Sequence, residues 1–374
     1  MARALPPLWL AQSSRFAGLP RRRAIWVAVA VALLVIASLS ALTLPARAPA
    51  PDSAASAASA AQMGDLALYE GVIDGIRAGG DYYQLTADAL RAGGYPLRPF
   101  VTFRLPVHSV VQAALPPAAT LMLLALLAIA VAAAWWMRLR AALPRQPARI
   151  AAMILLGGGM IVFIQPDLIA FHEIWAAQLV ALSLALRTPR RWVTPVALAL
   201  IALLVRETAA LYVLVMAGIA FLEGNRREGF GWLAALGAFA IALGAHAYGV
   251  AQVTGLLDPS SPGWMGMLGF GFFVKSVSTA TALQMLPLAL AGPLVVLALF
   301  GWASWRDPLA LRAIAIFCGY ALALSLFARP DTFYWGLMVA PVFLVGLAFA
   351  PDGLRDVYAA LLDRRRVRVH RVSQ

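Results

Sequence analysis

"VTPVALALIALLVRETAALYVLVMAGIAFLEG", residues 193–224, decides how this chain is folded. It is apolar on both sides of one ionisable doublet, Arg206-Glu207. As a single helix it would extend about 45 Å, too long for a hydrocarbon core of about 30 Å. A single crossing would also carry Arg226-Arg227 to the outer side. Two short crossings that turn at Arg206-Glu207 keep both flanking arginine clusters on one side. The turn then lies at or below the lipid surface, where protein must shield it.

Working outward from this stretch, the same alternation repeats. The chain has 374 residues, 62% hydrophobic and only 13% charged, whereas soluble domains carry about 25% charged residues. Apolar runs fall at about 24–44, 116–137, 150–165, 173–187, 192–205, 208–222, 230–250, 285–303, 309–328 and 333–350. They predict an all-α polytopic membrane protein with about ten transmembrane helices. Alternating strands of about ten residues are missing, which excludes an outer-membrane barrel. The lone Cys318 offers no disulfide framework.

The charges orient these spans. With the N-terminus inside, 22 of the 30 basic residues fall in inner segments and eight in outer ones, as the positive-inside rule expects. The net charge of +13 is therefore membrane anchoring, and no basic patch with interleaved aromatics points to nucleic acid. Eleven of the 17 acidic residues fall outside, so chemistry is expected there. The division is 1–23 as a cytoplasmic tail, 24–44 as the first span and 45–115 as a large outer loop. Nine further spans follow over 116–350, with 351–374 as a basic cytoplasmic tail. Ala46-Arg47-Ala48 resembles a cleavage site, but a run of about 20 residues suits a retained anchor. Residues 45–62, rich in Ala, Ser and Pro, read as a flexible tether.

The first outer loop is the best-patterned part of the chain. "DLALYEGVIDGIRA" has apolar positions at helical spacing and ends at Gly79-Gly80. "DYYQLTADALRA" repeats this, with Asp81 as N-cap, Gln84 in the capping-box position and Gly93-Gly94 as the stop. Both helices are too short to span and suit the interface plane.

Asp65–Tyr69 (D-x-x-x-Y) just beyond the first span, Gly80-Asp81-Tyr82-Tyr83, and Arg104-Leu105-Pro106 together resemble the GT-C superfamily. These are integral-membrane glycosyltransferases that use polyprenyl-phosphate sugars. The resemblance implies a GT-C-like fold, with a large first periplasmic loop that carries interfacial helices and a catalytic carboxylate near its start. It implies transfer of a sugar to a glycan, lipid or protein acceptor of the cell envelope. No Asp-Asp or Asp-Glu doublet occurs in this loop, which departs from the family pattern. One lysine against 29 arginines, with abundant alanine, fits a GC-rich bacterial genome, and so a bacterial inner membrane with both termini cytoplasmic.

Inverting transfer needs a base for the acceptor hydroxyl and cations for the leaving phosphate. Asp65 reads either as that base or as the cap of the first interfacial helix. Tyr69, Asp81 and Tyr82 are candidate substrate contacts, with N-capping as the other role for Asp81. Arg104 reads as a donor-phosphate ligand or as a side chain reaching for headgroups. His172 and Glu173 are candidate acceptor contacts or interfacial caps; adjacent on a helix, they diverge by about 100° and cannot form an H-E-x-x-H zinc pair. Arg206 and Glu207 read as an internal ion pair or as a phosphate or sugar contact. Arg329 and Asp331 stand beside aromatics that would stack on sugar or form an interface belt. Residues 251–284 read as a mobile interfacial segment or a connector with a Trp anchor. No cofactor is expected, and a divalent cation is not indicated. The rival classes are a multispan transporter or lipid flippase, which would need inverted repeats, and a noncatalytic assembly subunit.

Overall fold

The computed structural model describes residues 6–44 and 54–363; the side chains of 54–63 and of Asp331 are outside that description. Among the described residues the protein is all-helical, with no strand. In chain order the helices are α1 (Arg21–Ser38), α2 (Ala54–Arg77), α3 (Tyr82–Ala92), α4 (Pro106–Ala114), α5 (Pro117–Ala142) and α6 (Gln146–Met160). Then come α7 (His172–Leu186), α8 (Val193–Val205), α9 (Ala210–Leu222), α10 (Arg226–Val253), α11 (Phe270–Thr279), α12 (Leu288–Ser304) and α13 (Pro308–Phe327). The chain closes with α14 (Ala340–Phe343) and α15 (Gly346–Leu362).

Among the described residues, four helical stretches are long and apolar enough to cross a membrane: Arg21–Leu42, Pro117–Ala142, Arg226–Val253 and Pro308–Phe327. Shorter apolar helices, α7, α8, α9 and α12, pack among them. Large apolar side chains such as Trp26, Leu33, Ile36, Ile129 and Ile241 point outward. An outward-facing apolar surface on an all-helical bundle is what lipid demands. This is a helical membrane protein.

The Arg206-Glu207 break takes the expected form. Arg206 leaves α8 in an extended conformation, a 3-10 turn covers Glu207–Ala209, and α9 starts at Ala210. Both short helices flank α10. Trp192, at the entry to α8, and Phe221, near the end of α9, close on Gly231 and Gly229 of α10, where a Cβ would have no room. The start of α8 and the end of α9 therefore share one end of the bundle, and Arg206 lies at the other.

Several expectations are corrected. The tether is helical from Ala54; alanine is the strongest helix former, and the prolines at 45, 49 and 51 precede the start. The apolar run 333–350 is not one continuous helix but a 3-10 segment (Pro330–Met338), α14 and the start of α15, buried throughout 336–346. Hydropathy alone does not separate a lipid-facing run from a core-filling one. Residues 351–362 belong to α15, not to a tail. α15 crosses α12 at Gly301 and Gly346, where backbones meet so closely that a Cβ on Gly301 would lie 1.8 Å from the Gly346 carbonyl oxygen. Within 251–284, α11 is a helix with Gly271–Val274 and Ser276–Ser278 buried. That replaces the mobile connector.

The segment before α1 is tied to α15. The Asp352 carboxylate accepts from the backbone N–H groups of Leu8 (2.6 Å), Trp9 (2.8 Å) and Leu10 (3.0 Å), and Ser14 Oγ donates to Asp356 at 2.8 Å.

Candidate functional site

The break between α8 and α9 opens onto a cavity of about 1100 Å³ at one end of the bundle. Its floor is built by Arg206, which is almost fully buried. Arg206 Nε lies 2.5 Å from Glu173 Oε1, and Arg206 Nη1 pairs with Glu207 Oε1. Arg104, just before α4, stands over the same floor: Nη1 is 3.8 Å from Glu207 Oε1 and Nε donates to Tyr69 Oη at 3.2 Å. Tyr334 separates the two guanidinium groups, its ring centroid 6.0 Å from Arg104 Cζ and 5.6 Å from Arg206 Cζ. Two arginines in one low-dielectric wall repel each other, and the carboxylates and the ring face offset that.

The roof comes from α2 and α3. Asp65 is in the body of α2, eleven residues after its start, so the helix-capping role is excluded. Tyr95 Oη donates to Asp65 Oδ1 at 2.7 Å. The glycine pair after α3 makes this reach possible. Gly94 has φ of +67°, and a Cβ on Gly93 would meet the Tyr95 ring at 2.7 Å. Burial, then the neighbouring Asp65 carboxylate, push the Tyr95 phenol well up, so Tyr95 remains the donor. Tyr69 is pushed up to about 12 by burial, with Arg104 opposing. Tyr82 Oη donates to the Arg104 carbonyl at 2.5 Å and so fixes the strand of chain that carries that arginine.

At the head of α7, His172 is fully buried and neither ring nitrogen has a hydrogen-bond partner. Its ring lies tilted 4.4 Å from His108 and edge-on 4.9 Å from Tyr69, centroid to centroid. Gln112 Nε2 lies 2.9 Å from His108 Nε2 and donates to the Ile169 carbonyl at 2.7 Å. Burial pushes His108 down to about 3, which keeps the imidazole neutral.

The sequence-derived candidates divide cleanly. Asp65, Tyr69, Tyr82, Arg104, His172, Arg206, Glu207 and Arg329 all line the one cavity. Glu173 stands behind Arg206 as its partner. Asp81 is exposed and does what an N-cap does, accepting from Tyr83 N (2.9 Å) and Gln84 N (3.0 Å); it is not among the lining residues. The Asp331 side chain is outside the described residues. Arg329 Nη1 donates to Ser261 Oγ at 3.2 Å and to the Gly263 carbonyl at 3.4 Å. Among the described residues no group of three or more His, Cys, Asp or Glu is arranged to hold a metal ion.

Sequence reasoning missed Tyr95 and Lys275 as parts of this site, and His108 behind it. Tyr95 had a local signal, the Gly-Gly pair that folds it back onto α2. His108 had none, because only tertiary packing sets it beside His172; Tyr334 belongs to the aromatics flagged beside Arg329, but its place against Arg206 needed the fold. Comparison of the chain with protein-family models, with curated proteins and with solved structures finds no match.

Proposed function

We propose that this protein is an inverting membrane glycosyltransferase. It would move a sugar from a polyprenyl-phosphate donor to a cell-envelope acceptor at the periplasmic face of a bacterial inner membrane. The observation that carries the reading is the convergence of a carboxylate, the buried Arg206, the half-buried Arg104 and aromatic side chains on one large cavity of a membrane bundle. In this reading the chain crosses about ten times, with both termini cytoplasmic and the cavity on the outer side.

Asp65 takes the acceptor's hydroxyl proton as that oxygen attacks the anomeric carbon. The bond from the anomeric carbon to the phosphate oxygen breaks, and polyprenyl phosphate leaves with the electron pair. Arg104 and Arg206 hold the phosphate, since guanidinium N–H groups match its oxygens in pairs. Tyr334 and Trp335, both on the cavity wall, give sugar a face to stack on.

The test uses purified protein, a panel of polyprenyl-phosphate sugars and envelope glycan or lipid acceptors, with labelled product as the readout. Transfer from at least one donor is expected. No transfer with any donor, together with passage of the labelled lipid across sealed proteoliposomes, would replace this reading with that of a flippase.

A further inference from the structure

The cavity holds a cation that the proposed chemistry does not use. Lys275 is the single lysine of the chain. It projects from α11 onto the cavity wall, and Thr279, one helical turn further on, lines the same wall. Arg104 and Arg206 are countered by Glu173 and Glu207. Among the described residues the Lys275 ammonium has neither an ion-pair partner nor a side-chain hydrogen bond.

The two cationic groups belong to one space. The segment Pro330–Met338 touches both: Tyr334 lies against Arg104 and Arg206, while Gly336 abuts Ser276, the neighbour of Lys275, so closely that a Cβ would fall 2.8 Å from the Ser276 Cβ. α11 is thus fixed, and its lysine is held at the wall by a buried helix, not by a floppy loop. The half-buried ammonium faces the cavity with no counter-charge among the described residues, so an anion that enters can reach it. A compact point charge on a flexible stem suits a phosphate.

We propose that Lys275 anchors a second anion station in the cavity, apart from the Arg104–Arg206 pair, that takes a phosphate-bearing group. The station rests on the cavity being a site for phosphate-linked ligands. The group is either lipid-linked or part of a water-soluble phosphate ester, and the experiment separates these.

Because the chain has one lysine, acylation of its amine by a small water-soluble ester, followed by peptide mass spectrometry, reports on Lys275 alone. The full chain is purified in amine-free detergent and labelled with no addition, with a polyprenyl phosphate, with inorganic pyrophosphate, or with an uncharged prenol. Thermal midpoints are recorded in parallel for wild type and Arg206→Gln. A ligand at about ten times its Kd should slow acylation about tenfold, and the prenol should not. Protection by polyprenyl phosphate alone assigns a lipid-linked phosphate; protection by pyrophosphate as well assigns a free one. Unprotected acylation, with both compounds still raising the midpoint through Arg206, removes Lys275 from the site and leaves the cavity reading intact. Absence of both effects overturns both. A Lys275 that resists acylation in the unliganded protein also overturns the station, since an amine closed to a small reagent is closed to phosphate. Lys275→Arg, which keeps the charge, should retain the midpoint shift with polyprenyl phosphate.

Discussion

The bundle has two charged layers, one at each end of α7, about 20 Å apart by the rise of that helix. At the end away from the cavity, Arg187 bonds Glu228 through two contacts (2.8 and 2.6 Å) and approaches Glu223 at 3.4 Å. Arg312 grips the same Glu223 at 2.6 and 2.7 Å. Two arginines meet two glutamates, Trp232 and Asn225 add hydrogen bonds to Glu228 (3.2 and 2.9 Å), and none of these residues lines the cavity. At the cavity end, Arg104 and Arg206 face Glu173 and Glu207, and Lys275 and Arg329 line the same wall around open space. The groups are alike; the room differs. A closed layer holds helices in register, while an open one leaves its side chains within reach of whatever enters the cavity.

That contrast breaks most sharply at Asp65. Asp65→Asn keeps the shape and the acceptor for Tyr95 Oη but removes the base, so sugar transfer should fall by about 10²–10⁴ at unchanged thermal stability. Asp81→Asn is the matched control, because Asn caps about as well as Asp; it should keep most of the activity. Activity surviving in Asp65→Asn would take the base out of the first loop's α2.

The opposite layer should answer in stability. Glu228→Leu leaves Arg187 buried beside a single distant carboxylate and should cost about 3–5 kcal/mol, read as a fall in thermal midpoint. Turnover per folded molecule should stay near wild type. A variant that folds as well as wild type but has lost donor binding would erase the distinction between the layers.

Arg206→Lys probes the cavity floor with a smaller effect. Lysine keeps the charge between Glu173 and Glu207 but loses the paired N–H groups. Donor affinity should fall about tenfold, the scale of one charge-assisted hydrogen bond, with the midpoint close to wild type. Unchanged affinity in a stable protein would make Arg206 a strut like Arg187.

The remaining probe is pH, gentle in slope. His108 is neutral in the fold and held down to about 3 by burial, against 6.5 when unfolded. Its folded value lies below its unfolded one, so stability is full above about pH 6.5 and is lost as pH falls toward 3. The slope is at most about 1.4 kcal/mol per pH unit for one proton. His108→Asn should flatten the midpoint-versus-pH curve over that window, and an unaltered curve would assign the titration elsewhere.

What the sequence made legible was local. The Arg206-Glu207 doublet marked the break because charge inside an apolar run has few explanations, and Asp81 followed by Gln84 marked a helix start by spacing alone. The charged cavity residues other than Lys275 were legible for a related reason: polar groups in outer segments of so apolar a chain are few. What stayed hidden was set by distant parts of the chain. Glu173 as the partner of Arg206, and Tyr334 between the arginines, depend on contacts across 33 and 128 positions. The buried run 333–350 looked like a span because core and lipid ask for the same side chains.

The clasp of Asp352 on residues 8–10 has a bearing on how the molecule is made. Those three amide groups leave the ribosome long before their acceptor, which is 342 to 344 positions later. Until α15 has been translated and has slid against α12 through its glycine crossing, the leading segment has no partner, and closing so long a loop is slow. A helix made late in synthesis therefore locks a segment made early, and a chain stalled before residue 352 would leave that segment unlatched.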